Sequence, residues 1–298
     1  MLTILLNTLQ QTLIFLPLAI GVYLSYDILM ITDLTVEGTF VLGAAIFARL
    51  VTLGCNQFLS VLIALLGGAL TGIAVTIMQR VAKINSLIAG ILATFMLYSV
   101  NFGIMNRPNI SLLDSTIFLQ HLQNDYPQAL TLFLIIFTTL LGACVYFFLH
   151  SQMGLHLRAF GCNPHLLKKL GKKPSIYLGI GLASSNLLAA LSGIMMAQVS
   201  GYADIQMGLG VALTAIGAVV IGEKLVKSLL FKSDRFSAFG GLLGCLIGAF
   251  IYFLILNGFL VAGLNPIYLK LFLGLVLVAF LSTAHYTKQR GELYATAD

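Results

Sequence analysis

The sequence predicts an all-α polytopic membrane protein with about 8–10 transmembrane helices. Of its 298 residues, 59% are hydrophobic and only 9% are charged, whereas soluble domains carry about 25% charged residues. Apolar runs of about 20 residues, the length that crosses a bilayer as a helix, recur along the whole chain. These runs are continuous rather than alternating with a period of two, which excludes a porin-type barrel.

Nine apolar runs are the predicted spans. They cover residues 4–26, 36–53, 57–79, 84–105, 127–149, 175–199, 205–223, 237–258 and 264–284. The loops between them alternate between basic and non-basic, and the loop 150–174 contains five Lys or Arg residues and no acid. Because basic loops stay in the cytoplasm, we expect this loop and the C-terminus to be cytoplasmic. The net charge of +6 is therefore a topology signal, and no nucleic-acid partner is predicted.

The N-terminal region leaves two topologies open. No Lys or Arg precedes Arg49, so the first run lacks the basic start of a secretory signal and is read as a retained helix. Nine full spans with a cytoplasmic C-terminus would place Met1 on the outer side of the membrane. Alternatively, residues 4–53 contain a broken or re-entrant piece near residues 27–38. In both cases residues 1–298 form a single transmembrane domain.

The stretch "ITDLTVEGTF" at 31–40 places Asp33, Thr35 and Glu37 between two apolar runs. On a continuous helix the two carboxylates would share a face and repel each other. At a helix break, Asp33 would cap the new helix, with Thr35 beside it and Glu37 in the first turn, where the helix dipole favours acids. Two readings stay open: a cap buried in the bundle, or a broken-helix element lining a translocation path. Asn101, a polar residue inside a span, is a further candidate for such a path.

The glycine positions predict helix packing, and the cysteine positions do not predict a reactive or metal-binding site. Two sets of spaced glycines predict ridges that let helices approach closely in lipid: Gly67, Gly68 and Gly72 in one span, and Gly240, Gly244 and Gly248 in another. The four cysteines are scattered, with no CxxC pair and no histidine at zinc spacing. The sequence therefore predicts neither a metal site nor a cofactor.

The basic loop 150–174 contains a predicted short helix. Asn163 followed by Pro164 is a typical helix start, and Gly171 is a typical stop. Between them lie three apolar residues, Leu166, Leu167 and Leu170. Residue patterns alone leave two interpretations: an interfacial helix whose lysines face anionic lipid, or a projection that docks a soluble partner.

The segment "GLHLRAFGCNPHLLKKLG" resembles the cytoplasmic coupling segment of ABC importer permeases of the branched-chain amino acid and ribose group. The positions that match the family pattern are Gly154, Leu157, Arg158, Ala159, Gly161, Asn163 and Gly171. Leu167 and Lys168 stand where the family has small residues. Residues 25–48 resemble the second-helix motif of a branch with amino-acid-like substrates of the tryptophan or tyrosine type, and residues 201–225 resemble a downstream family segment.

This resemblance implies the permease subunit of an ABC importer in a bacterial inner membrane. Its implied partners are cytoplasmic ATPase subunits, a periplasmic or lipoprotein solute-binding protein and a second permease copy, in addition to membrane lipid. The chain has no G-x-x-x-x-G-K-[ST] motif, so we expect it not to be an enzyme itself. The expected ATPase interface comprises Gly154, Arg158, Ala159, Gly161, Asn163, Pro164, Leu166, Leu167, Leu170 and Gly171.

The alternative from another class is a secondary transporter that couples uptake to an ion through Asp33 and Glu37. For either carrier, a mostly apolar path suits an amino acid or a similar small solute.

Overall fold

A computed structural model describes residues 2–113, 117–229 and 238–263, together with four isolated positions, 271, 274, 275 and 278. The described helices are α1 (Leu2–Tyr23), a π-helical continuation (Leu24–Ile28), α2 (Thr35–Thr52), α3 (Gln57–Arg80), α4 (Ser86–Met105), α5 (Phe118–Asp125), α6 (Pro127–His150), α7 (Gln152–Cys162), α8 (Pro164–Lys169), α9 (Pro174–Ser200), α10 (Val211–Leu229) and α11 (Ala238–Val261). Two short strands, β1 (Asn109–Ser111) and β2 (Tyr202–Asp204), pair antiparallel with Ile110 opposite Ala203.

Seven of the described helices are long and apolar enough to cross a membrane, which confirms the polytopic all-α class. They are α1 with its π continuation, α2, α3, α4, α6, α9 and α11. The predicted span 205–223 begins later than expected, at Val211, and carries three charged residues toward its end: Glu223, Lys224 and Lys227. The predicted span 264–284, apart from the isolated positions, and the C-terminus lie outside the described residues.

The first two long helices run in opposite directions across the bundle. Ser192 donates a hydrogen bond to the Ile14 carbonyl, and Gly21 lies against Ser185, so α1 is antiparallel to α9. Further along the chain, α2 is parallel to α9, because Thr39 meets Asn186 and Gly43 meets Ala190. We call the face of the bundle that carries residues 150–174 the basic side. The N-terminal end of α1 lies on the opposite side, as nine full spans require.

Part of the connection between α1 and α2 packs inside the bundle, although it begins beside Gly161 of α7 on the basic side. Leu34 contacts Gly90 and accepts a hydrogen bond from Thr94 of α4. Asp33 contacts Asn186, which lies 12 residues beyond the start of α9. At 1.5 Å per residue this is about 18 Å along α9 from its first residue. The helical backbone is thus broken between Ile28 and Thr35, near residues 27–38 as expected, but the break is a turn between two opposed helices that are separate candidate spans and not a re-entrant piece within one span.

Both predicted glycine ridges lie at helix contacts. A Cβ at Gly68 or Gly72 would collide with α9, and a Cβ at Gly248 would collide with the Ala218 carbonyl of α10. Gly244 likewise faces Gly222 of α10. The close approach of these backbones places α3 against α9 and α10 against α11.

Candidate functional site

The start of α2 is held by a buried hydrogen-bond network around Asp33. The Asp33 side chain is only 4% exposed. Its Oδ1 accepts from the Thr35 backbone N–H at 2.9 Å, and its Oδ2 accepts from Asn186 Nδ2, also at 2.9 Å. The same Asn186 accepts from Thr39 Oγ1 at 2.7 Å and donates to the Leu182 carbonyl at 3.0 Å. The predicted capping role of Asp33 is therefore confirmed, and the cap also joins α2 to α9.

Glu37 faces a different helix from Asp33. It lies in the first turn of α2, as predicted. Its Oε1 accepts from the backbone N–H of Ala212, the second residue of α10, at 3.3 Å. The negative carboxylate therefore lies at the positive end of the α10 dipole, where acids are favourable. Because Asp33 and Glu37 cap different elements, the structure does not favour their use as a joint ion-binding pair.

Of the two remaining path candidates, Thr35 is the first residue of α2 and Asn101 of α4 packs against the same turn. Thr35 is fully buried, and Asn101 is 1% exposed. Asn101 Nδ2 donates to the Gly38 carbonyl at 3.1 Å, so α4 supports the first turn of α2. The Asn101 Oδ1 has no hydrogen-bond partner within the described ranges. The structure therefore brings all four predicted residues together, three of them deep in the helix bundle.

An apolar cavity of about 460 Å³ lies near this network, on the side opposite the basic side. It is bounded by α1, α2, α9, α10 and α11, and its aromatic lining residues are Phe15, Phe40, Tyr252 and Phe253. Ser192, Thr214 and Gln11 add a few polar groups. The sequence alone did not locate this cavity, because its walls come from five separate helices.

The segment 150–174 forms two helices rather than the one that the sequence predicts. Ser151 caps α7, its Oγ accepting from the Gly154 N–H at 3.4 Å. Asn163 caps α8, its Oδ1 accepting from the His165 N–H at 2.9 Å, and Pro164 is the first residue of that helix. Gly171 follows with a φ of +69°, a left-handed conformation that favours glycine. The predicted start and stop of the short helix are confirmed; α7 was missed, although Ser151 is a recognisable cap.

The ten predicted interface residues fall into three exposure classes. Asn163, Pro164, Leu166, Leu170 and Gly171 are exposed; Arg158, Ala159 and Gly161 are partly buried; Gly154 and Leu167 are buried. Leu167 is fully buried by this chain. It therefore anchors α8 to the bundle, which corrects its assignment to a surface that contacts a partner. Leu166 and Leu170, which are 48% and 59% exposed, remain available.

The helix α7 is fastened to the ends of the membrane helices. A Cβ at Gly161 would collide with the Ile28 carbonyl at the end of the π-helical continuation of α1. The Arg80 guanidinium at the end of α3 lies 5.4 Å from the centre of the Phe160 ring, a cation–π distance. His156 stacks on Tyr177 of α9, with ring centres 4.9 Å apart. Displacement of α7 would consequently change its contacts with α1, α3 and α9.

Comparison with known proteins identifies the family of this chain. Residues 4–281 match the family described as the permease component of branched-chain amino acid transport systems. An uncharacterized protein of Rickettsia prowazekii (strain Madrid E) is 48% identical over 94% of this chain and 97% of its own length. The tyrosine transport system permease protein of Clostridioides difficile (strain R20291) is 33% identical over 94% of this chain and 90% of its own length.

The ribose import permease protein of Escherichia coli (strain K12) is 25% identical over 88% of this chain and 79% of its own length. No solved structure matches the chain. The family match nevertheless covers nearly the whole sequence, including the helices that form the Asp33 network and the segment 150–174. The chain therefore belongs to the permease-component family of branched-chain amino acid transport systems and is the permease component of an ABC transport system.

Proposed function

We propose that the chain forms the translocation path of an importer for a small amino acid-like solute. A solute-binding protein delivers the solute, and separate ATPase subunits, docked on the basic side, supply the driving force. Two copies of the chain form the path in the plasma membrane of a bacterium, with the basic side and the C-terminus in the cytoplasm. Family membership and the absence of a P-loop motif from the sequence support this division of labour.

The observation that carries the proposal is the placement of α8. Leu167 secures the helix to the bundle, while Leu166 and Leu170 project from it beside the exposed lysines Lys168 and Lys169. Exposed leucines on a fastened helix suit a groove on a partner better than open solvent. ATP binds the closed ATPase dimer better than the open one, and this difference in affinity shifts the conformation of the attached permease.

The close contact between Gly161 and Ile28 extends this coupling into the membrane. Ile28 immediately precedes the turn that carries Asp33. Motion of α7 and α8 is therefore transmitted to the point where α1 ends and α2 begins. In the proposed cycle, that turn and the α2 helix that it starts rearrange as the path opens alternately to each side.

We expect Leu166→Asp and Leu170→Asp to weaken ATPase binding roughly tenfold each, because a charge replaces an apolar contact in the proposed groove. Co-purification of the ATPase subunit and solute uptake in vesicles measure the effect. Leu113→Asp is the matched control: this leucine is 71% exposed but lies on the side opposite the basic side. Equal ATPase binding and uptake by the unmodified chain and both α8 variants would exclude α8 as the docking helix.

Two observations support an amino acid of apolar or aromatic type as the solute. The cavity of about 460 Å³ has an aromatic lining with a few polar groups, as small-molecule sites usually have. A relative that is 33% identical carries the name of a tyrosine transport permease. The ring faces of Phe40 and Tyr252 offer favourable partners for an aromatic or branched side chain.

We expect Met196→Trp to reduce uptake several-fold, because the larger ring occupies part of this cavity. Uptake of radiolabelled tyrosine, leucine and ribose into vesicles that contain the complete transporter measures both the reduction and the preference. Leu140→Trp, at an α6 position that is 70% exposed and outside the cavity lining, is the control. Unchanged uptake by Met196→Trp would place the path elsewhere, and a preference for ribose would reject the amino-acid assignment.

A further inference from the structure

A second cavity, of about 730 Å³, is separate from the proposed path and from the basic side. The helix α9 forms its floor with Leu191, Ile194 and Met195. The first turns of α3 and the outer half of α6 form its walls, and the short helix α5 closes it from above. The cavity thus occupies a gap between two membrane helices on the side opposite the basic side.

Ordered aromatic rings form one wall of the cavity. Phe133 and Phe137 of α6 are stacked with ring centres 6.0 Å apart. Phe118 meets Phe133 edge to face at 5.4 Å, and the Phe118 backbone N–H donates to Gln57 Oε1 at 3.2 Å. These contacts tie α5 to both α6 and α3 and leave an apolar surface directed into the cavity.

One polar side chain in the cavity lacks a partner. Gln198 lines it and is only 9% exposed, yet its amide makes no hydrogen bond to any residue that the structure describes. The amide atoms are open to the cavity and are not enclosed by the protein, so a ligand or water in the cavity can act as their hydrogen-bond partner. Because Gln198 lies in the last turn of α9, this unused donor and acceptor is near the membrane surface, with the apolar rings deeper in.

The mouth of the cavity opens on the apolar outer surface of the described helices. Phe58 and Phe118 at the rim are 73% and 55% exposed, and the α3 face continues along the membrane with exposed Leu62 and Leu66. None of the described lining residues is charged. A zwitterionic solute would leave its two charges unpaired in such a site, whereas an acyl chain with a neutral polar end would not.

We infer that this cavity binds one acyl chain of a membrane phospholipid. The chain lies along Phe133 and Phe137, and the ester carbonyl of the lipid accepts a hydrogen bond from the Gln198 amide. The bound lipid fills the gap between α3 and α6 and supports the short helix α5. The headgroup remains outside and is not selected, since no charged side chain lines the cavity. This inference does not depend on the transported solute or on ATPase docking.

The absence of tryptophan from the sequence allows a direct test. Phe58→Trp places a single fluorophore at the cavity rim. Leu59→Trp is the matched control, because Leu59 is the next residue of α3, is 51% exposed and does not line the cavity. Each purified variant is titrated in detergent with a phosphatidylcholine that carries brominated acyl chains, and quenching of the tryptophan fluorescence is recorded.

We expect quenching of the Phe58→Trp variant to saturate at one lipid per chain, whereas quenching of the Leu59→Trp variant rises with the lipid content of the micelle without saturation. Adding Gln198→Leu to the Phe58→Trp variant should weaken binding roughly fivefold through loss of one hydrogen bond. Identical titrations of the two tryptophan variants would overturn the proposal. Displacement of the brominated lipid by free tyrosine would also overturn it and would assign the cavity to a solute instead.

Discussion

Replacing Asp33 by alanine is expected to destabilise the protein by roughly 2–4 kcal/mol. The substitution removes the acceptor for the Thr35 N–H and for Asn186 Nδ2 at a position that is 4% exposed. Water cannot replace these partners without entering the bundle, so the cap at the start of α2 is lost. Thermal unfolding of the purified protein in detergent, followed by circular dichroism, measures the change.

Three further variants separate the network from a general effect of removing a carboxylate. Asp33→Asn keeps an acceptor for Thr35 but turns an NH₂ group toward the Asn186 amide, so we expect a loss nearly as large. Adding Asn186→Asp to that variant restores a donor–acceptor pair and should recover part of the stability. Asp125→Ala, at an exposed position, should change stability by less than about 0.5 kcal/mol. Wild-type stability of Asp33→Ala would contradict the capping network.

The second large effect is expected where α10 and α11 meet. Gly248→Ala adds a methyl group that collides with the Ala218 carbonyl. Because the obstacle is backbone and not the end of a flexible side chain, the helices must separate. Overpacking of this kind costs about 1–3 kcal/mol or more, which outweighs the gain of up to about 1 kcal/mol from replacing glycine by alanine within a helix.

Gly258→Ala on the same helix is the matched control. No atom of the described residues lies within 4 Å of a Cβ placed at Gly258, so we expect only the gain in helix propensity and equal or slightly higher stability. Thermal unfolding of both variants in one detergent compares them directly. A loss of stability of equal size in both would show that the α10–α11 contact is not the cause.

Local features of the sequence were sufficient for the class of the fold and for one part of the site. Apolar runs predict spans because a membrane helix must be apolar over its full length. The cap and proline at Asn163 and Pro164 predict α8 because they act within a single turn. The predicted span starts at residue 205, whereas α10 begins at Val211. The residues between β2 and α10 are partly apolar, so the sequence does not reveal the turn that they form.

Contacts between distant residues could not be predicted in the same way. The direction in which each leucine of α8 points depends on where the bundle lies, so only the tertiary structure separates the buried Leu167 from the exposed Leu166 and Leu170. Likewise, the Glu37 carboxylate contacts the start of α10, 175 residues away in the chain. No pattern near Glu37 indicates that neighbour.

By itself, the sequence determined that the chain crosses the membrane repeatedly and presents a short capped helix on a basic loop, and it offered a break near residues 27–38 as one of two alternatives. These properties follow from composition and from interactions among residues only a few positions apart. The tertiary structure alone decided that Asp33 meets Asn186, that Gly161 meets Ile28 and where the two cavities lie. The physical reason is that buried polar groups and close backbone contacts take their partners from helices brought together only by folding.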